Sequence, residues 1–83
     1  MRYLIETGPY TDLTNTNLLI KQDNSDLYRY DPISKDWILD YDLCIIYTDH
    51  IEVESITEKE AEKVIQRFNK AYETGTYKAR SLS

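Results

Sequence analysis

Between Asp36 and Glu54 the chain carries six carboxylates, Asp36, Asp40, Asp42, Asp49, Glu52 and Glu54, and no lysine or arginine. Clustered carboxylates can hold a metal ion, act as a general acid–base pair, or present negative charge to a basic partner. The calcium reading starts well, because Asp40-x-Asp42 has the spacing that opens an EF-hand loop. It then fails, since Leu43, Cys44, Ile45 and Ile46 occupy positions where further oxygen ligands and a turn glycine are needed. A transition-metal site built on His50 with Asp49 and Glu52 lacks a second histidine or a cysteine partner, as His50 is the sole histidine. No metal and no cofactor is expected. Two carboxylates working as acid and base on a glycoside need a sugar-sized cleft, which a chain of 83 residues seldom builds.

Other nucleophiles fare no better. None of the five serines sits in a strand–turn–helix elbow, and His50 is the only base that titrates near neutral pH. Cys44 lies among Leu43, Ile45 and Ile46, where a buried and inert thiol is expected. The two glycines, Gly8 and Gly75, form no phosphate-binding loop. An enzyme is not expected.

The remaining use of the carboxylates is docking. Trp37, Ile38, Leu39, Ile51 and Val53 are interleaved with them, so the stretch should fold and display its charge rather than trail as a disordered acidic tail. Ordered negative charge repels nucleic acid and attracts basic protein. Tyr41 and Tyr47 stand beside these acids as candidate aromatic anchors, the usual companions of charge at protein interfaces. The candidate partner-binding set is therefore Asp36, Asp40, Tyr41, Asp42, Tyr47, Asp49, Glu52 and Glu54. Eight tyrosines are more than one small helix can cover, so several should be exposed.

Charge is unevenly placed along the chain. Residues 1–56 hold eleven acids and four bases, net −7, whereas residues 57–83 hold four acids and six bases, net +2. Lys59, Lys63, Arg67 and Lys70 come nearest to a basic stripe, but Glu58, Glu60 and Glu62 interrupt it; a solvated helix face is expected there, with no direct binding to nucleic acid. A single cysteine precludes an intramolecular disulfide and fits a reducing cytoplasm. The apolar run at Met1–Glu6 is too short for a signal peptide or a membrane span, so no membrane association is expected.

The elements that must position these groups follow from periodicity. Thr57-Glu58-Lys59-Glu60 matches a capping box. Ala61, Val64, Ile65, Phe68, Ala71 and Tyr72 recur at helical spacing behind it, and Gly75 terminates the run, which predicts a helix over about 58–73. Upstream the period is two. Tyr28 and Tyr30 point to one face, Leu27 and Arg29 to the other. After the turn Asp31–Lys35, Trp37 and Leu39 alternate with Asp36, Ile38 and Asp40, which gives a β-hairpin. Leu18–Gln22 forms a third strand and Arg2–Thr7 a fourth. Segment 41–49 reads either as a short helix capped by Asp40 or as a buried strand, with helix or turn preferred. Residues 50–56 form a short extended lead into the helix, with Ile56 off register. The sum is an α+β domain over 1–75, a three- to four-stranded antiparallel sheet packed by one C-terminal helix, followed by a frayed tail over 76–83.

Two of these segments, Tyr28-Arg29-Tyr30-Asp31-Pro32 with Trp37, and Ile56-Thr57-Glu58-Lys59-Glu60-Ala61 with Val64-Ile65, resemble a loose group of small uncharacterised proteins of Gram-positive bacteria and their phages. The resemblance covers residues 27–65. It implies a bacterial or phage accessory protein and brings no activity or site residues with it.

The expected function is a small acidic, non-enzymatic protein-binding module. Its concrete form is a phage or mobile-element inhibitor of antidefence type that blocks a basic nucleic-acid-binding surface of a partner. The alternative is a structural or assembly protein that self-associates through a strand edge or an aromatic face. Oligomeric state is open between the two.

Overall fold

Alternating apolar residues on both sides of one strand build the centre of this protein. In a computed structural model that describes residues 1–48 and 51–78, β1 (Arg2–Thr7) buries Leu4 on one face and Ile5 on the other. Strand geometry sends neighbouring side chains to opposite faces, so β1 needs cover on both. β2 (Leu19–Asp23), β3 (Asp26–Asp31), β4 (Asp36–Leu39) and β5 (Glu52–Ile56) complete an antiparallel sheet in the order β4-β3-β2-β1-β5. The α+β class holds, with five strands rather than three or four.

The additional strand is β5, expected only as an extended lead into the helix. It pairs with β1 from Tyr3↔Ile56 to Thr7↔Glu52. Its pattern misleads because it feeds two cores. Val53 packs with Leu4, Leu18, Ile20, Leu27, Leu43 and Ile46, whereas Ile56 packs with the helix cluster on the opposite face. Ile56 looked off register because a strand covered on both sides need not confine its apolar residues to one parity.

Helix α1 (Glu58–Glu73) covers the second face, burying Ala61, Val64 and Phe68 against Ile5, Leu19 and Tyr30. Its start is the predicted capping box: the Thr57 hydroxyl accepts from Glu60 N–H at 3.1 Å, and Glu60 Oε1 accepts from Thr57 N–H at 3.0 Å. Gly75, at φ +74°, ends it in the left-handed conformation that costs other residues most. Thr76 and Tyr77, assigned to the tail by the sequence, are held here: both amides donate to Ala71 O, and the Tyr77 ring lies 5.5 Å from Phe68.

The first face is covered by the ambiguous segment, which is a 3₁₀ helix over Tyr41–Thr48. Its period of three turns Leu43 and Ile46 onto the sheet and leaves Tyr41, Cys44 and Tyr47 outward. The expectation of a buried thiol is thereby overturned, because Cys44 is exposed. Asp49, His50 and residues 79–83 lie outside the described residues, and so do the expectations attached to them. Among the described residues no helix is long and apolar enough to cross a membrane.

Candidate functional site

Strand order separates the acids that sequence proximity had grouped. Asp36 opens β4 at one edge of the sheet, and Glu52 and Glu54 lie on β5 at the other. Four strand spacings of roughly 4.8 Å put the two edges about 19 Å apart. That exceeds a Debye length of about 10 Å at 0.1 M salt, so the two groups do not act as one field under physiological conditions.

Each carboxylate has its own local situation. Asp36 is exposed and accepts its neighbour Trp37 N–H at 2.8 Å. The register sets it opposite Asp31, whose own carboxylate is engaged by the Ile33 and Ser34 amides and the Ser34 hydroxyl. Asp40 is committed to Arg29 by an ion pair of 3.0 Å and also accepts Asp42 N–H. Its charge is locally cancelled. Asp42 is exposed in the first turn of the 3₁₀ segment. Glu52 and Glu54 are exposed on β5. Among the described residues no salt bridge joins Asp36, Asp42, Glu52 or Glu54 to the cations of α1. Nor do any three histidine, cysteine or acidic side chains there assemble a metal-binding group.

The 3₁₀ segment and β5 meet around an open groove of about 580 Å³, lined by Thr7, Ile46, Ile51, Glu52, Val53 and Glu54. Its apolar wall is Ile46 with half-buried Ile51 and Val53, and Glu52 and Glu54 line it at the sheet edge, where pairing with Thr7 and Ile5 sets their side chains toward the α1 face. Tyr47, on the outer side of the 3₁₀ segment, is 59% exposed but tethered. Its hydroxyl accepts Gln22 Nε2 at 2.8 Å, and Gln22 Oε1 in turn accepts Arg2 Nε at 3.0 Å. A ring already held in place loses less freedom on binding than a free one. Tyr41, 76% exposed at the other end of the same ridge, has no such tether among the described residues.

Of the eight candidate residues, the groove and its ridge bring together Tyr47, Glu52 and Glu54, with Asp42 and Tyr41 further along the ridge. Asp36 lies on the far edge, Asp40 is neutralised, and Asp49 falls outside the described residues. Two features were missed. Cys44 belongs to the exposed ridge, a placement only the three-residue period reveals. Arg67, assigned to a solvated helix face, donates from Nη2 to the carbonyl of buried Thr16 at 2.7 Å and so clips the 8–16 loop to α1. Burial lowers the pKa of its guanidinium, which stays charged. A small hollow beside it is lined by Leu13, Thr14, Lys63, Val64 and Arg67.

The aromatic side chains sort into packed and exposed. Tyr30 donates to Asn69 Oδ1 at 2.8 Å and stacks edge-on to Trp37 at 5.4 Å, while Lys21 lies 4.9 Å from the Trp37 ring and 5.0 Å from Tyr28. Tyr30 and Trp37 pack in the helix cluster and so hold the sheet to the helix. Tyr10, Tyr41, Tyr47 and Tyr72 are the exposed ones. No family model, curated protein or solved structure matches the chain, so its own residues carry the functional reading.

Proposed function

We propose that this protein is a non-enzymatic binding module that docks a basic partner protein on the side formed by the 3₁₀ ridge and β5. The observation that carries the reading is the groove whose apolar floor adjoins two exposed glutamates, with a tethered tyrosine beside it. Apolar contact there supplies affinity, and the carboxylates select a basic surface and steer its approach. The concrete form is an inhibitor, of the kind phages and mobile elements use against host defences, that occupies a nucleic-acid-binding surface of its partner. The docking set is narrower than the sequence implies: Tyr41, Asp42, Tyr47, Glu52 and Glu54 carry it.

The experiment is capture from the native host with the tagged protein, beside the triple variant Asp42→Asn, Glu52→Gln, Glu54→Gln. The expected result is a nucleic-acid-binding protein retained by the wild type and lost with the variant, whose nucleic acid is displaced in a gel-shift assay as the wild type is added. Equal retention by both proteins would remove the carboxylates from the account.

A second reading, self-association, is favoured by one observation. Ile38 and Leu39 on β4, with Ile33 before it and Tyr41 after it, are all between 42% and 76% exposed. Antiparallel pairing of two β4 strands about Ile38 would set Ile38 on Ile38 and Trp37 against Leu39. Light scattering separates the readings: a monomer at micromolar concentration fits the docking module, and a stable dimer fits assembly through β4.

A further inference from the structure

We infer that the outer edge of β5 is a strand-addition site for an extended segment of a basic partner, with basic and apolar residues alternating along it. The inference rests on the acidic-docking reading above and supplies its mode.

The edge is set by the hydrogen-bond alternation of an antiparallel sheet. Glu6 N–H donates to Leu18 O, so the even-numbered residues of β1 bond toward β2 and the odd-numbered ones toward β5. With the register Ile5↔Glu54 and Thr7↔Glu52, the amides and carbonyls of Glu52 and Glu54 point inward. Those of Val53 and Ser55 point outward, and β5 ends the sheet. An added strand would meet two donors and two acceptors there.

Side-chain parity then specifies the occupant. Val53 and Ser55 face the 3₁₀ side, where Ile46 and Ile51 extend the apolar floor, and Glu52 and Glu54 face the opposite side. A partner residue lying opposite Val53 should be apolar, and its two neighbours, opposite Glu52 and Glu54, should be lysine or arginine. Opposite-charge pairs across strands are favourable and like-charge pairs unfavourable.

The same rule disfavours a second copy of this chain. Only outward-facing residues can pair, so two β5 strands could align Val53 with Val53, Val53 with Ser55, or Ser55 with Ser55. The first alignment sets Glu52 opposite Glu54, and the second sets Glu54 opposite Glu54. The third avoids like charges, setting Glu54 opposite Ile56, but keeps only residues 54–56 of each strand in register and runs Val53 past the strand end onto Thr57. Charge on an edge strand discourages such self-pairing in many proteins. Protection alone, however, does not require an apolar floor beside the edge.

The test uses the full chain and a short peptide alternating lysine and valine, followed by amide-resolved NMR and hydrogen exchange. Expected are binding, exchange at the Val53 and Ser55 amides slowed by about tenfold or more, and affinity about fivefold weaker in E52Q/E54Q. A peptide N-methylated on its pairing edge, with charge unchanged, should lose binding. Binding that leaves the Val53 and Ser55 amides unprotected, or that survives N-methylation, would overturn strand addition while leaving acidic docking in place. No binding by either peptide would also overturn it, and host capture would then judge the docking reading separately.

Discussion

Single side chains make the sharpest tests of how this structure is held. Arg67 is one. It supplies a charged hydrogen bond to the carbonyl of Thr16, a residue with no solvent exposure. Arg67→Met keeps much of the apolar stem and leaves that carbonyl unpaired, so urea unfolding should show a loss of about 2 kcal/mol. Cys44 is another: because the 3₁₀ period turns it outward, its thiol should react with an aromatic disulfide reagent in the native protein as fast as it does in denaturant, to within about tenfold. Strong protection would mean that the segment is wound differently. Tyr77 gives the pH dependence. Burial raises its pKa above the ordinary tyrosine value, so its neutral form is favoured in the folded state. The stability this contributes is complete below about pH 10 and is lost as pH rises through the raised folded-state pKa. Tyr77→Phe should flatten the alkaline limb of a stability–pH curve while leaving the neutral region nearly unchanged.

At the scale of elements, physical chemistry visible along the chain accounts for some parts and not others. The helix bounds, the capping box and the Tyr28/Tyr30 with Trp37/Leu39 alternation are local: each depends on residues within a few positions of one another, and each stands as expected. β5 and the 3₁₀ segment depend on contacts distant in sequence. Val53 reads as strand only once Leu4, Leu18 and Ile20 are known to leave a face uncovered, and Leu43 reads as inward only once that face needs a lid. The lid makes a prediction of its own. Leu43 has no solvent exposure, so Leu43→Ala should cost about 3 kcal/mol and speed amide exchange on the β1–β2 face beneath it. A cost below about 1 kcal/mol would mean that the segment does not close the core. The candidate site was legible in the same partial way. The tyrosine and glutamate types were visible, but their grouping was not, because a carboxylate run in sequence crosses from one sheet edge to the other through a segment that spans the face between them.

For the molecule as a whole, the net charge of −5 is a sum over surfaces that differ. One edge carries exposed apolar side chains on β4, the other carries Glu52 and Glu54 on β5, and α1 holds Lys59, Lys63 and Lys70. Such a distribution would favour one approach direction for a basic partner over the rest. The claim on which this depends is that the charge at β5 and on the 3₁₀ ridge drives association. The most direct measurement is the dissociation constant for the captured partner between about 50 and about 500 mM salt, for the wild type and for E52Q/E54Q. Screening should weaken the wild type by about tenfold or more across that range and flatten the dependence in the variant. A wild-type affinity that changes by less than about twofold, or a variant that follows the same curve, would contradict it.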